Sequence, residues 1–255
     1  MAVYGVNVGK GDCMLFLLPR GQTLLVDTGT KAAYASLRAA LRQAGVQRID
    51  HLIFTHGHKD HIGGLKQLAA DYPIGTIYTA ALDTATYSDK ETAQIEASAR
   101  RHKTLREGDV YLFGGIRIEA LSPNRAYADA EDDNNNSLVL RLTQGKVSFL
   151  LMGDATSVIE ARLLEACPAK LPAAFLKAGH HGKEDASADA FVRAVSPQTA
   201  YLTGSTAEDA DSLSPIVLKR LADAGARIYT NEGEHLAVRF MSDGKTLGAG
   251  EYIYQ

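Results

Sequence analysis

The chain has 255 residues, 45% of them hydrophobic, and a net charge of −3. That length and apolar content support a sizeable core without staples, and the small, mixed charge excludes bulk attraction to nucleic acid or to a membrane surface. No apolar run approaches the ~20 residues of a membrane helix, and the first ten residues lack the features of a signal peptide, so the cytoplasm is the expected location, with Cys13 and Cys167 as reduced, apolar residues without metal spacing.

The predicted elements begin with a strand at 2–8, a turn at 9–12, and a hairpin of 13–18 and 23–27 closed by Pro19-Arg20-Gly21. The second hairpin strand ends in Asp27-Thr28-Gly29, a carboxylate at a strand end. A helix rich in Ala, Leu and Arg spans 31–44 and stops at Gly45. A short buried strand at 49–54 leads into Thr55-His56-Gly57-His58-Lys59-Asp60-His61, then a helix at about 62–70 and a strand at 75–80. Residues 81–107 are polar and read as a helical insertion, with its helix at 88–103. Strands resume at 109–113 and 116–121, before an Asp- and Asn-rich loop at 129–136. Strands 137–143 and 147–152 turn at Gln144-Gly145, and the second ends in Gly153-Asp154. A helix at 156–166 and a strand at 173–178 follow, the latter ending in Gly179-His180-His181-Gly182. The last third reads as helix 187–194, strand 199–203, helix 214–224 and strands 226–230 and 236–241, all within one domain.

Every chemically distinctive group falls at a strand end, as when two stacked sheets flanked by helices share one functional edge. Three of the chain's eight histidines lie in the 55–61 loop, where a rigid scaffold aims several side chains at one point. Imidazole and carboxylate are ligands for Zn, Mn or Fe; the spacing lets His56 and His58 face one ion while Asp60 and His61 turn toward a second. Asp154 is placed to bridge two cations, although a helix N-cap is the commoner role for an Asp in front of a helix. His180, the first residue after its strand, is the expected remaining ligand, which leaves His181 behind it or facing substrate in a catalytic role. Asp27 is expected to orient a ligand histidine from behind. His51, His102 and His235 have no sequence partners and are expected to be structural or at the surface. Two cations ~3.5–4 Å apart clamp a hydroxide and polarise an ester or phosphoryl oxygen, and Asp60 would both ligate and orient that hydroxide.

The pattern resembles the metallo-β-lactamase superfamily. The resemblance rests on Thr55-His56-x-His58-x-Asp60-His61 with Gly63-Gly64, on Leu25-Val26-Asp27-Thr28-Gly29, on Gly153-Asp154 and on the late His180. Within it, Val8-Gly9-Lys10-Gly11-Asp12, Asn135-Asn136-Ser137-Leu138-Val139-Leu140 and Leu176-Lys177-Ala178-Gly179-His180-His181-Gly182 resemble the hydrolase domain of ComEC-type DNA-uptake proteins. The resemblance implies a four-layer αβ/βα sandwich of two mixed sheets flanked by helices, two divalent metals and hydrolysis. Two positions depart from it. Many members carry a histidine ahead of the strand at 137–143; here the run is Asp132-Asp133-Asn134-Asn135-Asn136, so Asp133 or an asparagine oxygen would support the first metal, with Asn136 also placed behind the ligands. Zn is the expected metal, and an oxygen-richer site shifts the balance somewhat toward Mn or Fe. ComEC-like chains often also carry a histidine near Asp211-Ser212-Leu213-Ser214-Pro215, absent here.

The expected reaction is phosphodiester hydrolysis, with nucleic acid among the candidate substrates, Lys59 and Lys183 beside the phosphate, and Arg100, Arg101 and Lys103 as outer contacts. Hydrolysis of a lactam, lactone, thioester or other small ester, and a metal-binding scaffold without turnover, are the alternatives. Without a membrane segment in the sequence, this chain is not expected to act as an uptake channel itself.

Overall fold

Runs that are apolar on both faces need cover on both sides, and the fold provides it in layers. The computed structural model describes residues 1–81, 87–124 and 132–255. One sheet is built from β1 (Ala2–Val6), β2 (Met14–Leu17), β3 (Thr23–Val26), β4 (Ile49–Ile53), β5 (Ile74–Ala80), β6 (Arg101–Leu105), β14 (Ala237–Met241) and β15 (Glu251–Ile253). The other holds β7 (Val110–Phe113), β8 (Ile116–Ser122), β9 (Val139–Gln144), β10 (Val147–Leu151), β11 (Phe175–Lys177), β12 (Thr199–Leu202) and β13 (Arg227–Thr230). The orders are β15-β14-β1-β2-β3-β4-β5-β6 and β13-β12-β11-β10-β9-β8-β7. Both sheets are mixed: β3 to β6 and β10 to β13 run parallel, and the remaining pairs are antiparallel.

In β3, Leu24 and Val26 face the space between the sheets while Leu25 faces outward, the two-residue alternation of a strand covered on both sides. The inter-sheet layer also holds Phe16, Phe149, Phe175 and Phe240. Phe16 and Phe149 meet edge to face at 6.2 Å, a geometry worth ~0.5–1.5 kcal/mol beyond burial. Outside the first sheet lie α1 (Tyr34–Gln43), α2 (Lys59–Ile62), α3 (Leu65–Asp71) and α4 (Asp89–Ser98); α5 (Ser157–Ala166), α6 (Asp189–Val195) and α7 (Pro215–Asp223) cover the second. This is the four-layer αβ/βα sandwich expected from the sequence. Among the described residues no helix is long and apolar enough to cross a membrane.

Three elements differ from the sequence-based expectation. The helix expected at 88–103 starts on a Ser88–Glu91 capping box but ends at Ser98, and 101–105 become edge strand β6. Only Ile95 of α4 is buried, too narrow a face to propagate the helix, whereas β5 offers an open edge on which Arg101 pairs with Thr76 and Lys103 with Tyr78. Of that 81–107 insertion, 82–86 lie outside the described residues, as do 129–131 of the 129–136 loop. The helix expected at 62–70 is split into α2 and α3 at Gly63-Gly64, where a Cβ on Gly63 would stand 2.3 Å from the Lys59 carbonyl and one on Gly64 2.7 Å from that of Thr28. Strand β15 has no counterpart in the sequence reading.

Candidate metal centre

The C-terminal ends of β3, β4, β10 and β11 open on one edge, and His56, His61, Asp154 and His181 meet there, all buried. The turns after β3 and β11 pass through left-handed backbone at residues other than glycine. Asp27, just past β3, has φ 60°, and His180 and His181, past β11, have φ 44° and 54°. Left-handed backbone is costly for residues other than glycine and persists where the surroundings over-determine it. The Asp27 turn aims its carboxylate back at the metal-type loop: Oδ1 accepts the Thr55 N–H at 2.8 Å and Oδ2 the Thr55 hydroxyl at 2.7 Å.

That carboxylate also sits 2.8 Å from His61 Nδ1. A carboxylate accepts, so His61 Nδ1 carries its hydrogen and Nε2 is left bare. His181 shows the same logic: Nδ1 donates to the Thr203 carbonyl at 2.6 Å. His61 Nε2, His181 Nε2 and Asp154 Oδ1 are buried with no hydrogen-bond partner. Asp154 Oδ2 lies 3.2 Å from His61 Nε2 and 3.1 Å from His181 Nε2, and Asp60 Oδ2 lies 3.3 Å from His181 Nε2. Ligand atoms held about 2.1 Å from a common ion stand roughly 3.0–3.4 Å apart, so the spacing and the orphaned atoms fit a cation. A second pair converges beside the first: His56 Nε2 and His58 Nδ1 are 2.9 Å apart, and His56 Nε2 is 4.0 Å from Asp154 Oδ2. Asp154 thus lies between a group of Asp60, His61 and His181 and a group of His56 and His58.

Charge follows the same division. Burial opposes ionisation of Asp60 and Asp154, yet neighbouring His181 and His61 overcome it and hold both carboxyls well below the usual range. Burial pulls His61 and His181 down, but Asp154 and the other carboxylates prevail, lifting His61 well above its ordinary value and His181 to about 9. Burial and the neighbouring His61 keep His56 neutral, as a ligand requires. The surrounding carboxylates thus favour positive charge at the two Nε2 atoms, which a divalent cation would supply.

The structure favours the second histidine of the pair over the first as the cluster-facing ring. His180, expected as the ligand, turns outward and places Nδ1 2.9 Å from Asp185, while His181 occupies the position by Asp60 and Asp154. With both residues left-handed, counting outward from an extended strand misjudges which ring faces in. Asp133 and Asn136 pair with each other at 3.3 Å, and Ser137, next in the chain, reaches the cluster: its Oγ accepts the Asp154 N–H at 3.0 Å and lies 3.5 Å from His56 Nδ1. Lys59 is exposed at the start of α2; Lys183 stands near the mouth. Arg100 and Arg101 line a cavity with Arg48, Asp50 and His51 at the N-terminal ends of β4 to β6, the opposite end of the sheet from the cluster, so they are not outer contacts of this site. His51 stacks on Phe113 at 3.8 Å, and His102 bonds Thr79.

Sequence reasoning missed Asp12 and Lys177. Lys177 is 1% exposed; its ammonium donates to the Gly153 carbonyl at 2.9 Å, pairs with Asp12, and lies 3.9 Å from Asp154 Oδ1. Asp12 also accepts from the Thr203 hydroxyl. Asp12 approaches the ligand rings on their Nδ1 sides, 3.5 Å from His181 and 4.0 Å from His61, so it braces them rather than joining the cation-facing set. A lysine inside an apolar strand and an Asp in a glycine turn were visible in the sequence, but only the fold brings them together.

The family model for the metallo-beta-lactamase superfamily matches residues 6–204. ComE operon protein 3 of Bacillus subtilis is 27% identical over 220 residues, 78% of this chain and 27% of that protein. Exodeoxyribonuclease YycJ of Bacillus anthracis is 28% identical over 151 residues, 57% of this chain and 55% of that protein. The chain therefore spans well under two thirds of the length of either relative. Among solved structures, CmlA, a diiron beta-hydroxylase from Streptomyces venezuelae, superposes with a TM-score of 0.63 at 16% identity over 93% of this chain and 53% of that one, a likeness of fold.

Proposed function

The chain belongs to the metallo-β-lactamase superfamily, and from that premise we propose that it is a metal-dependent hydrolase of phosphodiesters. The observation that carries the reading is the convergence of bare, buried His61 Nε2 and His181 Nε2 on Asp154, with Asp60 beside them and His56 and His58 adjacent. His56, His58 and Asp154 would hold one divalent cation, and Asp60, His61, Asp154 and His181 a second. When bound, such cations activate water at neutral pH and polarise a phosphoryl oxygen. Asp27 and the Thr203 carbonyl fix the tautomers of His61 and His181. Asp60, at 19% the most solvent-accessible of the second cation's four ligands, would accept a proton from the attacking water.

Phosphodiesters are favoured over neutral esters because Lys10 and Lys183 stand at the mouth, and local charge rather than net charge governs an anion's approach. The similarity to an exodeoxyribonuclease supports the same class. The test is a substrate panel on metal-loaded protein: bis(4-nitrophenyl) phosphate, single- and double-stranded DNA, a β-lactam and a neutral ester. Chelator-sensitive cleavage of the diesters, weakening with added salt, is expected. Salt-insensitive hydrolysis of the lactam or ester alone would overturn the substrate assignment.

A further inference from the structure

Three charged side chains at the mouth share an arrangement that the metal cluster does not require. Lys10 Nζ lies 3.4 Å from Asp60 Oδ2 and 3.5 Å from Asp209 Oδ2, and Lys183 Nζ lies 2.9 Å from that same Asp209 oxygen. Lys10 comes from the turn after β1, Lys183 from the turn that presents His181, and Asp209 from the 205–214 loop. That loop is already anchored by backbone: Leu213 N–H donates to the His181 carbonyl at 3.1 Å and Ser214 N–H to that of Gly182 at 2.9 Å. Ser205 N–H is bound to the Ser212 hydroxyl at 3.1 Å. Asp209 Oδ1 accepts the Asp211 N–H at 3.2 Å, so Oδ2 alone serves both lysines. The ion pairs are thus not needed to seat the loop, and they bring two ammonium groups together beside a ligand carboxylate.

Resting on the phosphodiester reading, we propose that Lys10 and Lys183 form a phosphate subsite, and that Asp209 is an internal anion that occupies it until a substrate phosphate takes its place. Partly exposed ion pairs are weakly held and exchange readily. A phosphate offers several oxygens to two ammonium groups with three donors each, where Asp209 offers one. Displacement frees Asp209 without moving the loop, because its backbone anchors lie elsewhere. Asp209 therefore competes with the substrate and sets the threshold concentration at which the site fills.

The experiment compares wild type with Asp209→Asn, Lys10→Met and Lys183→Met, all metal-loaded and checked for equal metal content. It reads inorganic phosphate affinity by calorimetry, and KM and kcat for bis(4-nitrophenyl) phosphate. Asp209→Asn should bind phosphate about 5- to 10-fold more tightly and lower KM by a similar factor with little change in kcat. Lys183→Met should raise both constants about as much and flatten their salt dependence. Lys10→Met should do likewise; should it lose metal through its contact with Asp60, Lys183→Met carries the test alone. Unchanged phosphate affinity in Asp209→Asn and Lys183→Met overturns the subsite, even if the diester is cleaved and the function stands. Shifted phosphate affinity without any diester cleavage upholds the subsite and refutes the substrate reading.

Discussion

The two halves of the chain reach the same cluster by different means. The N-terminal half delivers His56, His58, Asp60 and His61 from one loop between β4 and α3, braced by Asp27 and Thr55. The C-terminal half delivers Asp154 and His181 from the ends of separate strands, and a left-handed turn decides which histidine faces in. A contiguous loop carries much of its own geometry. Dispersed ligands borrow theirs from buried partners: Lys177 and Asp12 beneath, the Thr203 carbonyl behind, and Glu160 at the far end of the 179–188 segment, where its carboxylate accepts the Ser187 and Ala188 N–H groups at 2.6 and 2.8 Å. Supporting residues should therefore matter most on the C-terminal side.

The largest expected effect lies there. Lys177→Met removes a buried cation and strands Asp12 as an uncompensated charge, which should lower stability by ~3–5 kcal/mol in urea unfolding of the metal-free protein. Wild-type stability in that variant would erase the proposed asymmetry between the halves. Next, Asp60→Asn should still fold yet lose roughly 10²-fold or more in turnover of a hydrolysed substrate, because it alters the reacting edge and not the core. A normal kcat would remove Asp60 from the chemistry. Asp27→Asn should weaken metal binding by ~10–100-fold in chelator competition, acting through the orientation of His61. An equal affinity would show that the loop holds itself without this brace.

These contrasts track what the sequence made legible. Strands, outer helices and the 55–61 loop were readable because periodicity and clustering are local signals. The end of α4 was not, since the open edge of β5 outcompeted a weakly amphipathic helix. Which of His180 and His181 faces inward was not legible, because φ beyond β11 is set by tertiary packing rather than by neighbours in sequence. Asp12 read as a turn residue because its partner Thr203 is 191 residues away.

A further effect concerns pH. Burial lifts the Glu160 carboxyl from 4.5 to about 7 despite its two backbone donors. The native state then binds more protons than the unfolded chain between about 4.5 and 7, so stability should fall as pH rises through that window, by up to ~1.4 kcal/mol per pH unit. Glu160→Gln should flatten that slope in pH-dependent unfolding; an identical slope would show that the far anchor of the 179–188 segment is not titrating.

Metal content of His180→Ala and His181→Ala, purified and loaded identically, tests the ligand set most directly. The His181 ring stands against Asp154 and Asp60, and the His180 ring against Asp185. His180→Ala should hold as much metal as wild type, and His181→Ala should lose at least one equivalent. Full metal in His181→Ala together with loss in His180→Ala would contradict the account.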